Sequence, residues 1–410
     1  MQDLETFRME VRQWLEDNCP QSMRTPMPED EVVWGGRDAV LKNPDSRLWL
    51  ERMADKGWTC PEWPAEYGGG GLGKAQSLVL AEELQHINAR PPLVSFGISM
   101  LGPVLLEFGT HDQKAEHIPR IVRGEVRWCQ GYSEPGAGSD LAGLGTKAVL
   151  HGDTYTVDGS KIWTSYADKS DWIFCLVRTD FEVPKHNGIS FLLIDMASKG
   201  VSTKPIDLIS GSSVFCETFF DDVKVPAGNL IGRVNDGWTI AKRLLQHERT
   251  MISGFGLSSG RNNRGGLTAS LGRTAMQYRG DGERLTDASL RDRIAQFDID
   301  AQAFALTSQR SREESRLSEG PNATSSMLKN YGCELNKRRH ELALEAVGSQ
   351  ALGWESVQDG DFSPDELNLT RQWLRSKGNS IEGGTYEIQL NVIAKRVLGL
   401  PDMTSMLTKK

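Results

Sequence analysis

The sequence lacks the apolar runs and the basic excess that mark several classes of protein. No uninterrupted apolar stretch approaches the roughly 20 residues that a bilayer-crossing helix needs, so we expect no membrane span. The first residues, Met1 to Glu5, are acidic where a secretory signal would be basic, which predicts a cytoplasmic protein. A formal net charge of -8 argues against nucleic acid as a main partner.

Cysteine and histidine are also scarce. The six cysteines lie far apart, no C-x-x-C pair occurs, and the chain has only 7 histidines. This pattern favours neither a disulfide framework nor a metal site, so we expect free thiols and no metal. The cysteines are Cys19, Cys60, Cys129, Cys175, Cys216 and Cys333.

The chain has 410 residues with ordinary globular composition, which is too long for one small core. Up to about residue 123, apolar residues recur at helical spacing and predict a helical domain over 1–123. The pieces are Phe7, Val11, Trp14 and Leu15, then Leu48 to Met53, Ala75 to Leu84 and Leu101 to Phe108.

Between two of these pieces, Gly68, Gly70 and Gly73 spell G-x-G-x-x-G. A dinucleotide-binding turn would need a buried strand before it, and the preceding residues, rich in Pro and Glu, do not form one. We therefore predict a surface loop over Pro61 to Gly73.

Short β-rich runs replace the helical spacing near residue 124 and predict an antiparallel β domain over 124–236. A turn is expected at Asp158-Gly159. The predicted strands are Thr154 to Val157, Lys161 to Thr164, Trp172 to Arg178, Ile189 to Asp195 and Val214 to Val223.

Helical spacing then returns in longer pieces and predicts a C-terminal bundle over 237–410. The fold class is therefore α+β, with helical, β and helical domains in that order. The predicted helices are Trp238 to Leu257, Leu290 to Leu317, Ser325 to Val347 and Glu387 to Leu398.

The segment 128–140, WCQGYSEPGAGSD, opens the β domain. Its glycines let a ligand approach the backbone closely, and its hydroxyls add to a set of exposed N–H donors. Taken alone, such a segment is more often a plain turn before a strand. The segment resembles the flavin-binding segment of the acyl-CoA dehydrogenase family, and the domain order fits that resemblance. The resemblance implies FAD as cofactor, held in part by Gln130, Tyr132, Ser133, Gly138 and Ser139.

Two further motifs extend the resemblance. Residues 161–165, KIWTS, are similar to the family strand whose Trp covers the flavin, so Trp163, Thr164 and Ser165 are expected at the cofactor, although a Trp there could equally be a core aromatic. Residues 379–389, NSIEGGTYEIQ, are similar to the family's C-terminal loop, which implies cofactor contacts by Thr385 and Glu387.

Dehydrogenation needs a carboxylate to take the acidified α-proton. The family's usual position for it, one residue before Gly-Thr, is Gly383 here, and Glu382 lies one position too early. Other members carry the base on the helix after the β domain, where this chain has Glu248 followed by Arg249. We therefore prefer Glu248 as the catalytic base, with Glu382 as the alternative.

The resemblance also implies how the substrate is held. A backbone N–H at Gly383 or its neighbour would stabilise the charge that develops on the thioester oxygen. The acyl-CoA is expected to contact Ser139, Gln246, Arg249 and Gly384.

The expected activity is the conversion of an acyl-CoA to its trans-2-enoyl-CoA, with electrons passed to an electron-transfer flavoprotein. An acyl-CoA oxidase or flavin monooxygenase of the same fold, and a non-catalytic or half-site subunit, are the alternatives. A family Arg-x-x-Phe-Gly stretch is missing between Gly265 and Arg291, and Gly348 to Gly353 matches the family's Gly-Gly loop only in part. The assembly is therefore expected to be either a homo-oligomer (dimer or tetramer) or a heterotetramer with a second acyl-CoA dehydrogenase subunit.

Overall fold

The computed structural model of the protein describes residues 4–245, 270–317, 324–355 and 360–401. The chain folds into two compact units. The first unit comprises Met1–Ile206 and Ser213–Leu245, and the second comprises Asp207–Ser212 and Gln246–Lys410. The domain boundaries that the sequence suggests at residues 123 and 236 stay predictions.

The N-terminal part of the first unit is helical, as the spacing of its apolar residues predicts. On the first helix, Phe7, Val11 and Leu15 are buried, and they pack with Trp49 and Met53 of the second. The helices are α1 (Leu4–Asn18), α2 (Pro44–Asp55), α3 (Lys74–His86), α4 (Gly102–Phe108) and α5 (His111–Val122). All four predicted helical pieces are confirmed, and α5 is an additional helix.

The start of α5 carries a signal that the apolar spacing alone does not show. Thr110 accepts a hydrogen bond from the backbone N–H of Gln113, and the Gln113 side chain accepts one from the N–H of Thr110. This reciprocal pair satisfies N–H groups that a helix start leaves without partners.

The Pro61 to Gly73 segment is a loop with one 3-10 turn, Ala65–Tyr67, so the predicted loop is confirmed. Backbone hydrogen bonds fold it back on itself, including Gly70 N–H to Cys60 O and Leu72 N–H to Pro61 O. A side chain at Gly69 would lie 2.4 Å from the carbonyl oxygen of Trp63, so this close turn has room only for glycine.

The rest of the first unit is a β-sheet that is mainly antiparallel. Its strand order is β6-β7-β3-β2-β4-β5-β8, with β1 paired in parallel to β4. The strands are β1 (Trp128–Gly131), β2 (Lys147–His151), β3 (Thr154–Ser165), β4 (Trp172–Arg178), β5 (Ile189–Asp195), β6 (Val201–Ile206), β7 (Phe215–Pro226) and β8 (Leu230–Ile231). Residues 237–245 then form helix α6 in the described part of the chain.

The predicted turn at Asp158-Gly159 is wrong. Strand β3 runs straight through these residues, and a register shift against β7 falls between Val157 and Gly159. Gly159 takes φ +144°, a conformation that favours glycine, so the irregularity is absorbed within one strand. A Gly in a strand pattern marks a bulge as readily as a reversal.

The second unit is helical in the residues that the structure describes. Its helices are α7 (Leu271–Arg279), α8 (Ala288–Leu317), α9 (Ser325–Val347), α10 (Pro364–Ser376) and α11 (Tyr386–Val392). The predictions for α8 and α9 are confirmed. The predicted helix over Glu387 to Leu398 is α11 followed by a π-helical turn, Ile393–Val397. Only part of the predicted helix Trp238 to Leu257 lies in the described residues, as α6.

Two helices of this unit were not predicted. Helix α10 begins with the N-cap Ser363, which exchanges hydrogen bonds with Glu366, and has Pro364 in its first turn. Helix α7 packs into the same apolar core as α8 and α9, with Leu271 and Ala275 buried. In α10 the buried apolar residues, Leu367 and Leu369, are two positions apart, which is not helical spacing, and α7 lies in a stretch rich in Gly, Arg and Asn.

The cysteines are free thiols and all six are buried. Burial raises the pKa of the Cys60 thiol to about 12, so this group is protonated at neutral pH. Among the residues described, no helix combines the length and apolarity that crossing a membrane requires.

Candidate active site

The segment from Trp128 to Asp140 begins as strand β1 and continues into an exposed turn. Within the turn, Glu134 and Ala137 exchange backbone hydrogen bonds. Gly138 and Ser139 are exposed, and a side chain at Gly138 would meet no atom within 4 Å. The backbone of this turn is therefore open to an approaching ligand.

A buried ion pair holds the segment to strand β3. The ammonium of Lys161 is fully buried, lies 2.7 Å from the Glu134 carboxylate, and donates to the carbonyl oxygen of Tyr132. Ile162 N–H also donates to Ser133 O at 2.9 Å. The segment and the strand are thus joined at three consecutive residues, Tyr132 to Glu134.

The Glu134 carboxylate has further donors. It accepts hydrogen bonds from Gly145 N–H at 2.6 Å and Thr146 N–H at 2.9 Å. Burial works against the charged form, but the charge of Lys161 and these hydrogen bonds together hold the pKa of Glu134 below its usual range. The Glu134 carboxylate is therefore ionised at neutral pH, and its oxygens are well satisfied by donors.

A second buried cation holds the chain just after the segment, at Ala142 and Leu144. The guanidinium of Arg178, on β4, donates to the carbonyl oxygens of Ala142 at 2.6 Å and Leu144 at 3.1 Å. At the exposed edge, Lys185 forms an ion pair with Asp140 at 2.7 Å. The open turn at Gly136 to Ser139 therefore projects between two fixed ends.

Strand β3 presents Trp163 in an unusual conformation. Its φ is +62°, and the register against β7 shifts between Lys161 and Thr164. The indole is 53% exposed and contacts Phe215 edge-on, with ring centroids 6.0 Å apart. A bulky residue with positive φ costs roughly 1–2 kcal/mol. An exposed aromatic face held at this cost is a candidate surface for stacking a flat ring.

The neighbours of Trp163 differ in access to solvent. The Thr164 hydroxyl is fully buried and has no hydrogen-bond partner among the described residues, whereas Ser165 is half-buried. The burial of Thr164 does not support direct ligand contact by its side chain. Of the two predicted hydroxyls, Ser165 is the accessible one.

The C-terminal motif lies in the second unit, between α10 and α11. Gly383 and Gly384 have φ values of +64° and +89°. Thr385 is the N-cap of α11, and its hydroxyl accepts from Ile388 N–H, while Glu387 is exposed in the first turn. Beside this loop is a cleft of about 330 Å³ lined by Glu334, Lys337, Ser380, Ile381, Thr385, Tyr386 and Glu387.

Glu382, the alternative base, is engaged in two contacts on this loop. One carboxylate oxygen lies 2.7 Å from the Arg375 guanidinium, and the other accepts from the Asn379 amide at 2.5 Å. The side chain is about one-third exposed. These contacts are those of a residue that holds a loop in shape.

The preferred base, Glu248, lies outside the described residues, as do Gln246 and Arg249. The Arg279 guanidinium, in the region that lacks the family's Arg-x-x-Phe-Gly stretch, donates to Glu345 O and Ala346 O at the C-terminal end of α9. This arginine therefore caps a helix of its own unit.

The sequence alone does not identify several buried residues that hold the site's backbone. Lys161 and Arg178 lie on strands, and Lys329 lies on α9, where charged residues are normally placed on the solvent face. All three are buried. Glu134 lies inside the first motif, but nothing in the sequence identifies Lys161 as its partner.

Comparison with protein families identifies the chain. Residues 1–125 match the acyl-CoA dehydrogenase N-terminal domain, residues 129–223 the middle domain, and residues 235–398 the C-terminal domain. The chain belongs to the acyl-CoA dehydrogenase family. It is an oxidoreductase of a flavoprotein family, which confirms the resemblance and the fold class drawn from the sequence.

Individual relatives agree with this acyl-CoA dehydrogenase assignment. The chain is 36% identical over 408 residues to acyl-CoA dehydrogenase IpdE1 of Mycobacterium tuberculosis, covering 98% of this chain and 99% of the relative. It resembles the Tcur3481-Tcur3483 steroid ACAD, with a TM-score of 0.74, 27% identity and 97% of each chain covered. It also resembles the ChsE4-ChsE5 complex from Mycobacterium tuberculosis, with a TM-score of 0.73, 28% identity and 98% of each chain covered.

The buried pair at Lys161 leads to a stability prediction. Lys161→Met leaves the Glu134 carboxylate buried without its cation, so we expect the free energy of unfolding to fall by about 3 kcal/mol. Denaturant unfolding measures this change. The control is Lys185→Met, which removes an exposed pair and should cost less than about 1 kcal/mol. Equal losses in the two variants would contradict the structural role assigned to Lys161.

Proposed function

We propose that this acyl-CoA dehydrogenase binds FAD and converts an acyl-CoA thioester to its trans-2-enoyl-CoA. The observation that carries the proposal is the exposed indole of Trp163, which lies on a strained bulge of β3. The residue before it, Ile162, donates its backbone N–H to Ser133 O of the first motif. Bound FAD supplies an acceptor for the β-hydrogen, which leaves the substrate as hydride.

The proposed cofactor residues differ in how accessible they are to a ligand. Trp163 offers a flat apolar face and Ser165 an accessible hydroxyl, while Ser133, Gly138 and Ser139 offer hydroxyls and open backbone. Gln130 and the buried Tyr132 are on the adjoining strand end, where Tyr132 packs edge-on against Phe174 and Phe191. In the second unit, Thr385 and Glu387 are the proposed FAD contacts.

We assign the catalytic base to Glu248. The family position before Gly-Thr is Gly383 and offers no carboxylate, and the nearby Glu382 already contacts Arg375 and Asn379. A base needs a carboxylate oxygen directed at the substrate, and both oxygens of Glu382 are directed at residues of its own unit. The contacts of Glu382 therefore support the helix glutamate as base.

The substrate contacts follow from the same family pattern. Gln246, Arg249, Ser139 and Gly384 are proposed to hold the acyl-CoA. A backbone N–H of the loop at Gly383 or its neighbour is proposed to donate to the thioester oxygen as negative charge develops there, which lowers the barrier to α-proton removal.

The substrate class that we propose is a bulky, ring-bearing acyl-CoA. The support comes from the structural relative described as a steroid ACAD and from the small residue at position 383. The proposed electron acceptor is an electron-transfer flavoprotein.

A second candidate is a half-site subunit of a heteromeric acyl-CoA dehydrogenase. The Arg279 guanidinium donates to backbone carbonyls at the end of α9 in its own unit. The ChsE4-ChsE5 relative is described as a complex of two named components. In this case full activity would require co-expression with a second acyl-CoA dehydrogenase chain. A homo-oligomer would instead be active alone.

The base assignment predicts a difference between two glutamates. Glu248→Gln should abolish bleaching of the flavin absorbance by acyl-CoA while the protein stays yellow, because the α-proton has no acceptor. The matched variant Glu382→Gln should still bleach, since its carboxylate only holds the loop. Anaerobic absorbance spectra with and without acyl-CoA measure both. Bleaching by Glu248→Gln together with its loss in Glu382→Gln would reassign the base.

The substrate proposal predicts a preference between two sets of thioesters. We expect kcat/KM for steroid side-chain acyl-CoAs to exceed that for straight-chain acyl-CoAs of equal side-chain length by about 100-fold, which corresponds to about 3 kcal/mol of differential binding. Dye-coupled assays with both sets measure the ratio, and peroxide detection tests for oxidase activity. Equal or reversed preference would refute the bulky-substrate proposal.

A further inference from the structure

The side chain of Arg127 packs against two aromatic rings in the first unit. Its guanidinium carbon lies 4.9 Å from the ring centroid of Trp34 and 4.9 Å from that of Tyr166. The two rings also contact each other, with centroids 4.9 Å apart, and Phe96 packs edge-on against Trp34. Guanidinium groups stack favourably on aromatic faces, so the rings hold the plane of the N–H donors in place. We call Trp34, Arg127 and Tyr166 the arginine clamp.

The backbone places Trp34 beside Arg127 through the two residues that follow it. Gly35 and Gly36 have φ values of +70° and +119°, and Gly36 N–H donates to Gly124 O at 2.9 Å. A side chain at Gly35 would lie 2.4 Å from the same oxygen, so only glycine allows this approach. The position of Trp34 is therefore set by the fold and does not depend on the stacking alone.

Tyr166 is held in a conformation that tyrosine rarely adopts. Its φ is +54°, its N–H donates to Val214 O at 2.9 Å, and its carbonyl oxygen accepts from the Ser170 hydroxyl at 2.8 Å. Trp163 and Tyr166 are the aromatic residues with positive φ in the described part of the chain. Strained backbone of this kind is concentrated at ligand-binding sites. Both residues lie at the end of β3, before and after Ser165 in the sequence, whose accessible hydroxyl is proposed to contact FAD.

The Arg127 guanidinium donates to no protein acceptor among the residues that the structure describes, although the side chain is partly buried. Two carboxylates act on its charge but have other donors. Asp171 accepts from the backbone N–H groups of Arg37 and Arg127, and Asp168 accepts from the Cys216 thiol. Burial lowers the pKa of the Arg127 guanidinium, yet an arginine remains protonated at neutral pH.

This arrangement separates Arg127 from the buried arginines that hold backbone in the same unit. Arg178 donates to Ala142 O at 2.6 Å, and Arg90 donates to Pro26 O at 3.0 Å. A guanidinium in a structural role ordinarily satisfies its N–H groups in this way. The donors of Arg127 bind no described residue, which is the arrangement expected of a ligand-binding arginine.

The arginine clamp defines the chemistry of its ligand. A guanidinium presents parallel N–H donors that match a carboxylate with two charge-assisted hydrogen bonds. The rings of Trp34 and Phe96 offer apolar surface beside these donors, which suits a hydrocarbon or a ring next to the carboxylate. The group expected here is therefore an apolar, ring-sized unit that ends in a carboxylate.

We propose that Arg127 binds a carboxylate carried by the acyl group of the substrate, at the end remote from the thioester. This inference rests on the proposed acyl-CoA function, and it narrows the ring-bearing substrate class to acyl-CoAs with a second, free carboxylate. Tyr166 directly follows Ser165, so the arginine clamp adjoins a residue proposed to contact FAD, where the acyl group must lie for its β-hydrogen to reach the flavin. Arg127 is a specificity residue and takes no part in proton or hydride transfer.

The test compares a ring-bearing acyl-CoA that carries a carboxylate, a carboxycyclohexyl-propanoyl-CoA, with its methyl ester. The ester keeps the ring and the length but has no negative charge to pair with a guanidinium. The proteins are full-length wild type, Arg127→Met, which keeps an apolar stem against the rings, and Arg127→Lys, which keeps the charge without the paired donors. The control is Arg37→Met, which removes an exposed neighbouring arginine that pairs with Asp171 and Asp195.

Two measurements are made on each protein. Steady-state dye reduction gives kcat/KM for both thioesters, and calorimetry gives the dissociation constants of the two corresponding enoyl-CoA products, which bind without turnover. We expect wild type to favour the carboxylate over the ester by about 30-fold in both measurements, because the charged pair of hydrogen bonds is formed only with the carboxylate. The preference should fall to about twofold or less in Arg127→Met, with ester values near those of wild type, and to about fivefold in Arg127→Lys. Arg37→Met should keep the wild-type preference.

A wild type without preference would overturn the proposal, and so would a preference that survives in Arg127→Met. An equal loss for both thioesters in Arg127→Met and Arg127→Lys would also overturn it, because Arg127 would then only stabilise the fold, and thermal melting would show both variants destabilised. If wild type turns over no acyl-CoA, the proposed function fails, whereas the dissociation constants of the products still decide whether Arg127 recognises the carboxylate.

Discussion

The ion pair between Lys161 and Glu134 is the constraint on which the proposed cofactor residues of the first unit depend. A lysine and a carboxylate are buried together only at a desolvation cost, and here each also has backbone partners that satisfy it. The pair joins the glycine-rich segment to strand β3 directly before the bulge at Trp163. Together with the hydrogen bond from Ile162 N–H to Ser133 O, it fixes the position of the segment relative to the exposed indole.

In the second unit, too, a buried lysine holds the backbone of a loop. Lys329 is buried on α9 and donates to a backbone carbonyl, so that a loop with two left-handed glycines keeps one conformation. Glu382, on the loop itself, forms an ion pair with Arg375 of α10. In both units a buried cation orders backbone, and the backbone presents the groups proposed to bind ligand.

Much of the fold follows from sequence periodicity, because long helices such as α1, α8 and α9 repeat their apolar positions many times. Helix α10 was missed because its buried leucines, Leu367 and Leu369, do not follow helical spacing, and α7 was missed because it lies in a Gly-, Arg- and Asn-rich stretch. Gly159 suggested a turn where the structure has a bulge. The motifs around Trp163 and Gly383 identified the family correctly. The buried partners Lys161 and Lys329 could not be found, since their burial depends on residues distant in the chain that sequence order does not bring together.

The central claim is that the strained bulge of β3 presents Trp163 to stack on FAD. The most direct measurement is a titration of cofactor-free wild-type and Trp163→Ala protein with FAD, followed by flavin fluorescence. The account predicts tight binding with quenched fluorescence for wild type, and binding about tenfold or more weaker for Trp163→Ala. Equal affinities and equal quenching in the two proteins would contradict it.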